Sequence, residues 1–308
     1  MQNKEIEHAF GGVWTLEKLD AISQYMIGFN KVLKNQNFGK IYIDAFAGTG
    51  NCTIKSNNTE LTVNGSAHRA VKCIPQFDHL YFIEKSLEKS QTLSKTLAST
   101  DKRVHIINDD ANEAVLQLIN NIEWGYKNRG LLFLDPFGMN FDWNILKSVA
   151  QTKAVDVWYL FPIFGVMRQS AKDFDQIDNA KAKSIDYVLG TVDWREKFYT
   201  EKSSIDMIDG EVNKKERHIN NEGMINFVKN RLGEIFPLVL EPAILKNSKN
   251  GLLFALFFVC SNTSTAAQGA AGRIATALIS KLNKGQMATI EKEILRKKSN
   301  PNQQNLFD

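Results

Sequence analysis

Four places in the chain set carboxylates or glycines at the end of a short apolar run. In "IYIDAFAGTG", Asp44 follows Ile41, Tyr42 and Ile43, and Gly48 and Gly50 stand two apart after Phe46 and Ala47. "YFIEK" ends on Glu84, "VHIINDD" on Asp109 and Asp110, and "LLFLDPFG" on Asp135, Pro136, Phe137 and Gly138. Glycine lets backbone N–H groups approach a ligand with no Cβ in the way. A carboxylate at the next strand tip can take both hydroxyls of a cofactor ribose. An Asp followed by Pro offers a carboxylate and a backbone carbonyl, two acceptors that can hold an amine, and an adjacent aromatic ring can stack on a base. The chemistry these residues suit is cofactor binding together with the aiming of an amine lone pair.

Competing roles exist for some of them. Asp109 or Asp110 suits an adenine amino group, and either could instead cap a helix beginning near Ala111. Phe137 could belong to a Pro-Phe turn that packs under the sheet. The glycine pair is not the dinucleotide fingerprint, because Asn51, Cys52 and Thr53 follow with no third glycine, and no Gly-Lys-Ser/Thr makes it a P-loop. No Pro-Cys nucleophile of the kind used at cytosine C5 is present, since Cys73 precedes Pro75.

Such residues need strands to carry them. Apolar runs of strand length fall at Ile41 to Ile43, Leu80 to Ile83, Val104 to Ile107, Leu131 to Leu134, Val155 to Phe161, Leu238 to Leu245 and Leu252 to Cys260. Helical patterns separate the early ones, among them Ala70, Val71 and Ile74, then Leu87, Leu93 and Leu97, and Val115, Leu116, Ile119 and Ile122. This alternation predicts an α/β fold with a parallel sheet covered on both faces, which binds ligands beyond the carboxyl ends of its strands. The last two runs are joined by "KNSKNG", too short for a crossover, so they should pair antiparallel. The result is a Rossmann-like, seven-stranded, mostly parallel sheet with a C-terminal antiparallel hairpin. Residues 1–165 and 222–285 are expected to form this domain, 166–221 a helical insertion, and 286–308 a basic, flexible tail.

The 308 residues carry a net charge of +4. Six basic residues between Lys281 and Lys298 face only Glu291 and Glu293, so the first 280 residues are nearly neutral. The tail suits either a solvated helix end or phosphate contact. No run of 18 apolar residues and no charged-then-apolar leader is visible, so a cytoplasmic protein with no membrane span is expected. Three scattered cysteines form no grouping with the five histidines, which argues for a reducing compartment and no metal.

"DAFAGTG" resembles the first motif of S-adenosylmethionine-dependent methyltransferases, particularly those acting on nucleic acid. "DPFG" moves the aromatic forward by one place relative to the D-P-P-aromatic motif of adenine-N6 and cytosine-N4 enzymes, and is similar to the motif of tRNA guanine-N2 methyltransferases. Over most of its length the chain resembles the three-Cys-motif partner protein family of bacteria. "WTLEKLDAISQYMIGFNKVL", "YIDAFAGTG", "YFIEK", "LLFLDPFGMNFDWNILKSVA", "DVWYLFP" and "LLFALFFVCSN" carry that resemblance. It implies S-adenosylmethionine as cofactor, a three-cysteine-motif partner protein, and Trp14 and Lys18 at the border of the cofactor pocket. Packing of an amphipathic helix through Leu16, Leu19, Ile22 and Met26 explains most of that segment as well. The expected activity is methyl transfer to an exocyclic base amine of DNA or RNA. A protein or small-molecule acceptor, or a catalytically silent scaffold for the partner, are the alternatives. Gln303, Leu306 and Phe307 match the spacing of peptides that bind bacterial sliding clamps, a further partner to expect.

Overall fold

The computed structural model describes residues 12–56, 59–99, 101–206, 210–247 and 249–287. In chain order it begins with α1 (Val13–Val32), β1 (Gly39–Asp44), β2 (Asn51–Ser56), β3 (Thr59–Asn64), α2 (Ser66–Val71), β4 (His79–Ile83) and α3 (Leu87–Leu93). Next come β5 (Val104–Ile107), α4 (Ala111–Asn121), β6 (Asn128–Leu134), α5 (Trp143–Gln151), β7 (Val155–Phe161), α6 (Ile163–Gln169), α7 (Asn179–Leu189) and α8 (Trp194–Lys197). The chain continues through β8 (Tyr199–Asp206), β9 (Gly210–Arg217), α9 (Asn221–Gly233), β10 (Leu238–Val239), β11 (Ala243–Lys246), β12 (Leu252–Cys260) and α10 (Thr265–Asn283).

The main sheet runs β5-β4-β1-β6-β7-β12, with β10 and β11 both on the outer side of β12. The first five strands are parallel and β12 is antiparallel to β7. All seven residues of β7 are buried, as are the last four of β1 and the last five of β6. Burial on both faces explains why these strands read as continuous apolar runs. One face packs on α4, α5 and α9, the other on α1, α2 and α10. The chain order reverses at β1, between β4 and β6, which opens a crevice at the carboxyl ends of these strands.

The expected sheet is present, and the chain differs from expectation in four details. The run from Leu238 to Leu245 is one sheet position filled by two short strands, broken around Pro242, which has no N–H to give the ladder. The insertion expected to be helical holds α7 and α8 but also the β8–β9 hairpin, fixed by Arg217, whose guanidinium donates to the Met167 and Ser170 carbonyls at 2.7 and 2.6 Å. A second hairpin, β2–β3, comes directly after the glycine loop. Ile54 and Val63 alternate onto one face of it and pack on Leu16 of α1, an alternation short enough to pass for loop. The α2 pattern stops at Val71, leaving Ile74 75% exposed. All but Gln286 and Met287 of the basic tail, including the clamp-like Gln303, Leu306 and Phe307, lies outside the described residues.

Helix α1 is held to the sheet by its apolar stripe and by buried polar bonds. Leu16, Leu19, Ile22 and Met26 are at most 2% exposed, and the Tyr25 hydroxyl donates to Asp156 Oδ2 on β7 at 2.7 Å. Burial pushes the Asp156 carboxyl up, against the pull of the Cys260, Tyr25 and Arg129 side chains. Tyr25→Phe removes one of these partners and should cost about 1 to 3 kcal/mol in denaturant unfolding.

Candidate active site

Asp44 ends β1 and is completely buried. The Phe46 amide donates to its Oδ1 at 3.3 Å. Burial drives the carboxyl up to about 6, with Asp135 adding to the rise, while Ser66, the Phe46 amide and Lys18 favour the charged form. Its Oδ2 finds no hydrogen-bond partner among the described residues, and neither do the buried Tyr42 hydroxyl or the Thr15 hydroxyl, one helical turn before Lys18. Buried polar atoms are nearly always paired, so these unmet atoms mark a floor suited to a polar guest.

The chain beyond Asp44 stays tied to both neighbouring strands. Ala45 donates to the Phe133 carbonyl at 3.1 Å and Ala47 to that of Ile83 at 2.9 Å. Gly48 and Gly50 then adopt φ of +61° and +82°, the left-handed region that glycine enters without strain. Their surroundings differ. A Cβ on Gly48 would meet nothing within 4 Å, whereas one on Gly50 would lie 2.7 Å from the His68 ring and 2.8 Å from Leu93. Gly50 is packed and Gly48 faces open space.

Glu84 follows β4 and grips this loop. Its Oε2 accepts from the Gly48 amide at 3.1 Å and its Oε1 from the Ser86 amide at 2.7 Å. A carboxylate has about four lone-pair sites, so two remain for outside donors. After β5, Asp110 caps α4. Its Oδ1 accepts from the Asn112 amide and side chain, both at 3.0 Å, and its Oδ2 from Lys85 at 3.1 Å. Burial opposes the charged form, but these bonds outweigh it and hold Asp110 below the usual carboxylate range. Of the two roles open to this pair, Asp110 takes the cap, and the exposed Asp109 lies beside it.

Asp135 stands one residue beyond β6, half buried, and its Oδ2 accepts from the Lys18 ammonium of α1. Lys18 is 3% exposed, with its ammonium 5.3 Å from the Trp14 ring and 5.8 Å from that of Phe133. Trp14 in turn packs on Phe254 of β12 at 5.2 Å. Both α1 residues singled out by resemblance therefore belong to this corner, and Lys18 reaches the strand-end Asp itself. Pro136 is buried, and Phe137 is 71% exposed rather than packed under the sheet. Gly138 at φ +72° turns the chain so that Met139 returns to the core. Asn112 fastens the segment that leads into α5, donating to the Asn140 carbonyl at 3.3 Å and accepting from the Asp142 amide at 2.8 Å.

The strand-end groups thus share one edge of the sheet. Thr15, one helical turn before Lys18, and Asn112, bonded to the Asp110 cap and to the segment after Asp135, join them, and neither was singled out by the motifs. Lys18 had a legible signal, a charge four residues before Ile22 on the buried stripe, while Asn112 had none beyond its place just after a cap. A cavity of about 390 Å³ lies elsewhere, at the amino ends of the strands between α1 and α10, lined by Phe29, Arg129, Asp156 and Ala270 among others.

No family model matches the chain, and no curated protein is similar to it. Among solved structures, a DUF519-family protein of Legionella pneumophila shares 13% identity over 90% of this chain and 95% of its own, with a TM-score of 0.49. An S-adenosylmethionine-dependent methyltransferase of Clostridium acetobutylicum shares 12% over 80% and 91%, with a TM-score of 0.36. Spermidine synthase of Thermotoga maritima shares 9% over 82% and 61%, also at 0.36. The α/β fold follows from the strand order β5-β4-β1-β6-β7-β12.

The two glycines should separate experimentally. Gly50→Ala combines left-handed strain with a clash and should cost about 2 to 5 kcal/mol in denaturant unfolding. Gly48→Val should cost only the strain, about 1 to 2 kcal/mol, and its damage should appear in ligand titration instead. Asp44 gives a pH signature. With its carboxyl raised from 3.8 to about 6, the folded state binds the extra proton, so the chain gains stability as pH falls from 6 to 4 and carries the full penalty above 6. Asp44→Asn should flatten that window and stabilise the ligand-free protein at pH 7 to 8 by up to about 3 kcal/mol, read from unfolding curves at several pH values.

Proposed function

We propose that this chain is an S-adenosylmethionine-dependent methyltransferase acting on an exocyclic amine of a nucleic-acid base. The observation that carries the reading is the convergence, on one sheet edge, of an open glycine cradle, a carboxylate bound to that cradle, and an Asp-Pro-Phe-Gly turn at the next strand. The residues fit such a cofactor. Gly48 leaves the space a Cβ would fill, Glu84 keeps two lone-pair sites for ribose hydroxyls, and Asp109 is exposed beside the loop for an adenine amino group. The unmet Asp44 Oδ2 suits the ammonium of the amino-acid end.

Bound there, the cofactor supplies a methyl group on a cationic sulfonium, released to a nucleophile while the bonding electrons stay on sulfur. The chain's part is to hold and aim the acceptor. Asp135 Oδ1 and the Pro136 carbonyl accept the two hydrogens of an amine, so that its lone pair faces outward from both. Phe137 offers its exposed ring to the plane of the base. The surplus proton on nitrogen leaves to water, because Lys18 already neutralises Asp135. No enzyme nucleophile is required.

The resemblance to the three-Cys-motif partner family adds a three-cysteine protein as a partner to test. The basic tail and the clamp-like Gln303, Leu306 and Phe307 make nucleic acid and a sliding clamp further partners to test in the full chain. One observation favours a second reading, the silent scaffold: the strand-end Asp135 already has a charged partner.

Asp135→Asn decides between them. Radiolabelled methyl transfer into total nucleic acid, with and without the partner, should occur with wild type and fall about a hundred- to a thousandfold in the variant. Because the variant also strips Lys18 of its counter-charge, transfer is compared at saturating cofactor, with folding and cofactor binding of each protein confirmed by titration. Wild type that binds cofactor but labels neither DNA nor RNA would favour the scaffold.

A further inference from the structure

Lys18 is buried inside a site whose proposed cofactor is itself a cation, and burying an ammonium without need is costly. Its position gives it a use. The ammonium contacts Asp135 Oδ2, so an acceptor held on Oδ1 lies within a few ångströms of it. Asp44, Tyr42 and Cys52 are the other titratable side chains whose charge is felt there, and Asp44 is driven toward its neutral form by burial.

Resting on the methyltransferase reading, we propose that Lys18 sets acceptor specificity by admitting uncharged aromatic amines and turning away alkylammonium groups. An unpaired Asp at this point would attract a lysine side chain or a polyamine, which carry positive charge at neutral pH. Paired with Lys18, the Asp135 carboxylate is neutralised, and an incoming ammonium meets Lys18 and the sulfonium with one carboxylate to share. A base amine is uncharged and brings only hydrogen-bond donors, which Oδ1 and the Pro136 carbonyl still accept. Like charges about 6 Å apart in a partly buried site are worth about a hundredfold in binding at an effective dielectric of 20. Cation contacts with Trp14 and Phe133 hold the ammonium in place without consuming Asp135 Oδ1. Lys18 thereby separates the nucleobase acceptor from the protein and small-amine acceptors that the same Asp-Pro turn could serve.

The test compares two acceptors across three proteins: single-stranded nucleic acid and spermidine, with wild type, Lys18→Met and Lys18→Arg. Methionine keeps the length and apolar stem of lysine, and folding is checked by cofactor titration. The ratio of kcat/KM for nucleic acid over spermidine should fall at least tenfold in Lys18→Met, chiefly through a lower KM for spermidine, and should recover toward wild type in Lys18→Arg. A structural role alone would lower both acceptors together and leave the ratio unchanged, and that result overturns the proposal. Equal use of spermidine by wild type overturns it too. Failure of the methyltransferase reading looks different: wild type then binds cofactor and transfers to neither acceptor, and the proposal falls with it.

Discussion

The contact between Lys18 and Asp135 joins the first helix to the end of the central strand β6, and the site depends on it. An ammonium 3% exposed is tolerable only where its charge is met, and Asp135 meets it. The contact in turn requires α1 to lie flat on the sheet. Lys18 and Tyr25 are seven residues apart, two turns on one face, and each donates to a carboxylate of the sheet, Asp135 beyond β6 and Asp156 on β7. Between them Leu19 and Ile22 supply the apolar contact. The helix is thus held at two points two turns apart by polar bonds set in an apolar stripe, and its N-terminal part becomes a wall of the site.

The opposite wall is built by a different device. Glu84 bonds the Gly48 amide, which ties the loop after β1 to the tip of β4. Gly50 is filled in by His68 and Leu93, which fixes the loop from behind and leaves Gly48 as the open face. A preformed cradle of this kind lets a ligand bind without ordering the loop first. The buried Asp44 Oδ2, four residues before Gly48, has no partner among the described residues, a cost to the ligand-free fold that a polar guest would relieve.

Much of this was legible in the sequence, and the parts that were not have physical reasons. Buried strands announce themselves as apolar runs, which is why β1, β4, β6, β7 and the antiparallel β12 stand where the runs do, while the edge strand β5 is buried only at Val104. Strand-end residues could be read because a carboxylate or glycine after such a run has few structural uses. The β2–β3 and β8–β9 hairpins were harder to see. Among their described residues they bury few apolar side chains, such as Ile54, Val63 and Tyr199, so their period-2 signal hardly rises above that of a polar loop. Contacts between distant segments were harder still. The spacing from Lys18 to Asp135 is 117 residues, and only the fold reveals that they touch. Asp110 shows the same limit from the other side, since two adjacent aspartates share one signature and only the start of α4 decides which becomes its cap.

Under the methyltransferase reading, S-adenosylmethionine sits at the carboxyl edge of the sheet around Gly48. A crystal structure of the full chain grown with S-adenosylhomocysteine tests it most directly. The expected density is a nucleoside over Gly48 with its ribose hydroxyls on Glu84 and its amino-acid end toward Asp44, below the Lys18–Asp135 pair. A ligand seated instead in the cavity between α1 and α10, or no bound ligand at millimolar concentration together with no heat in a calorimetric titration, would contradict it.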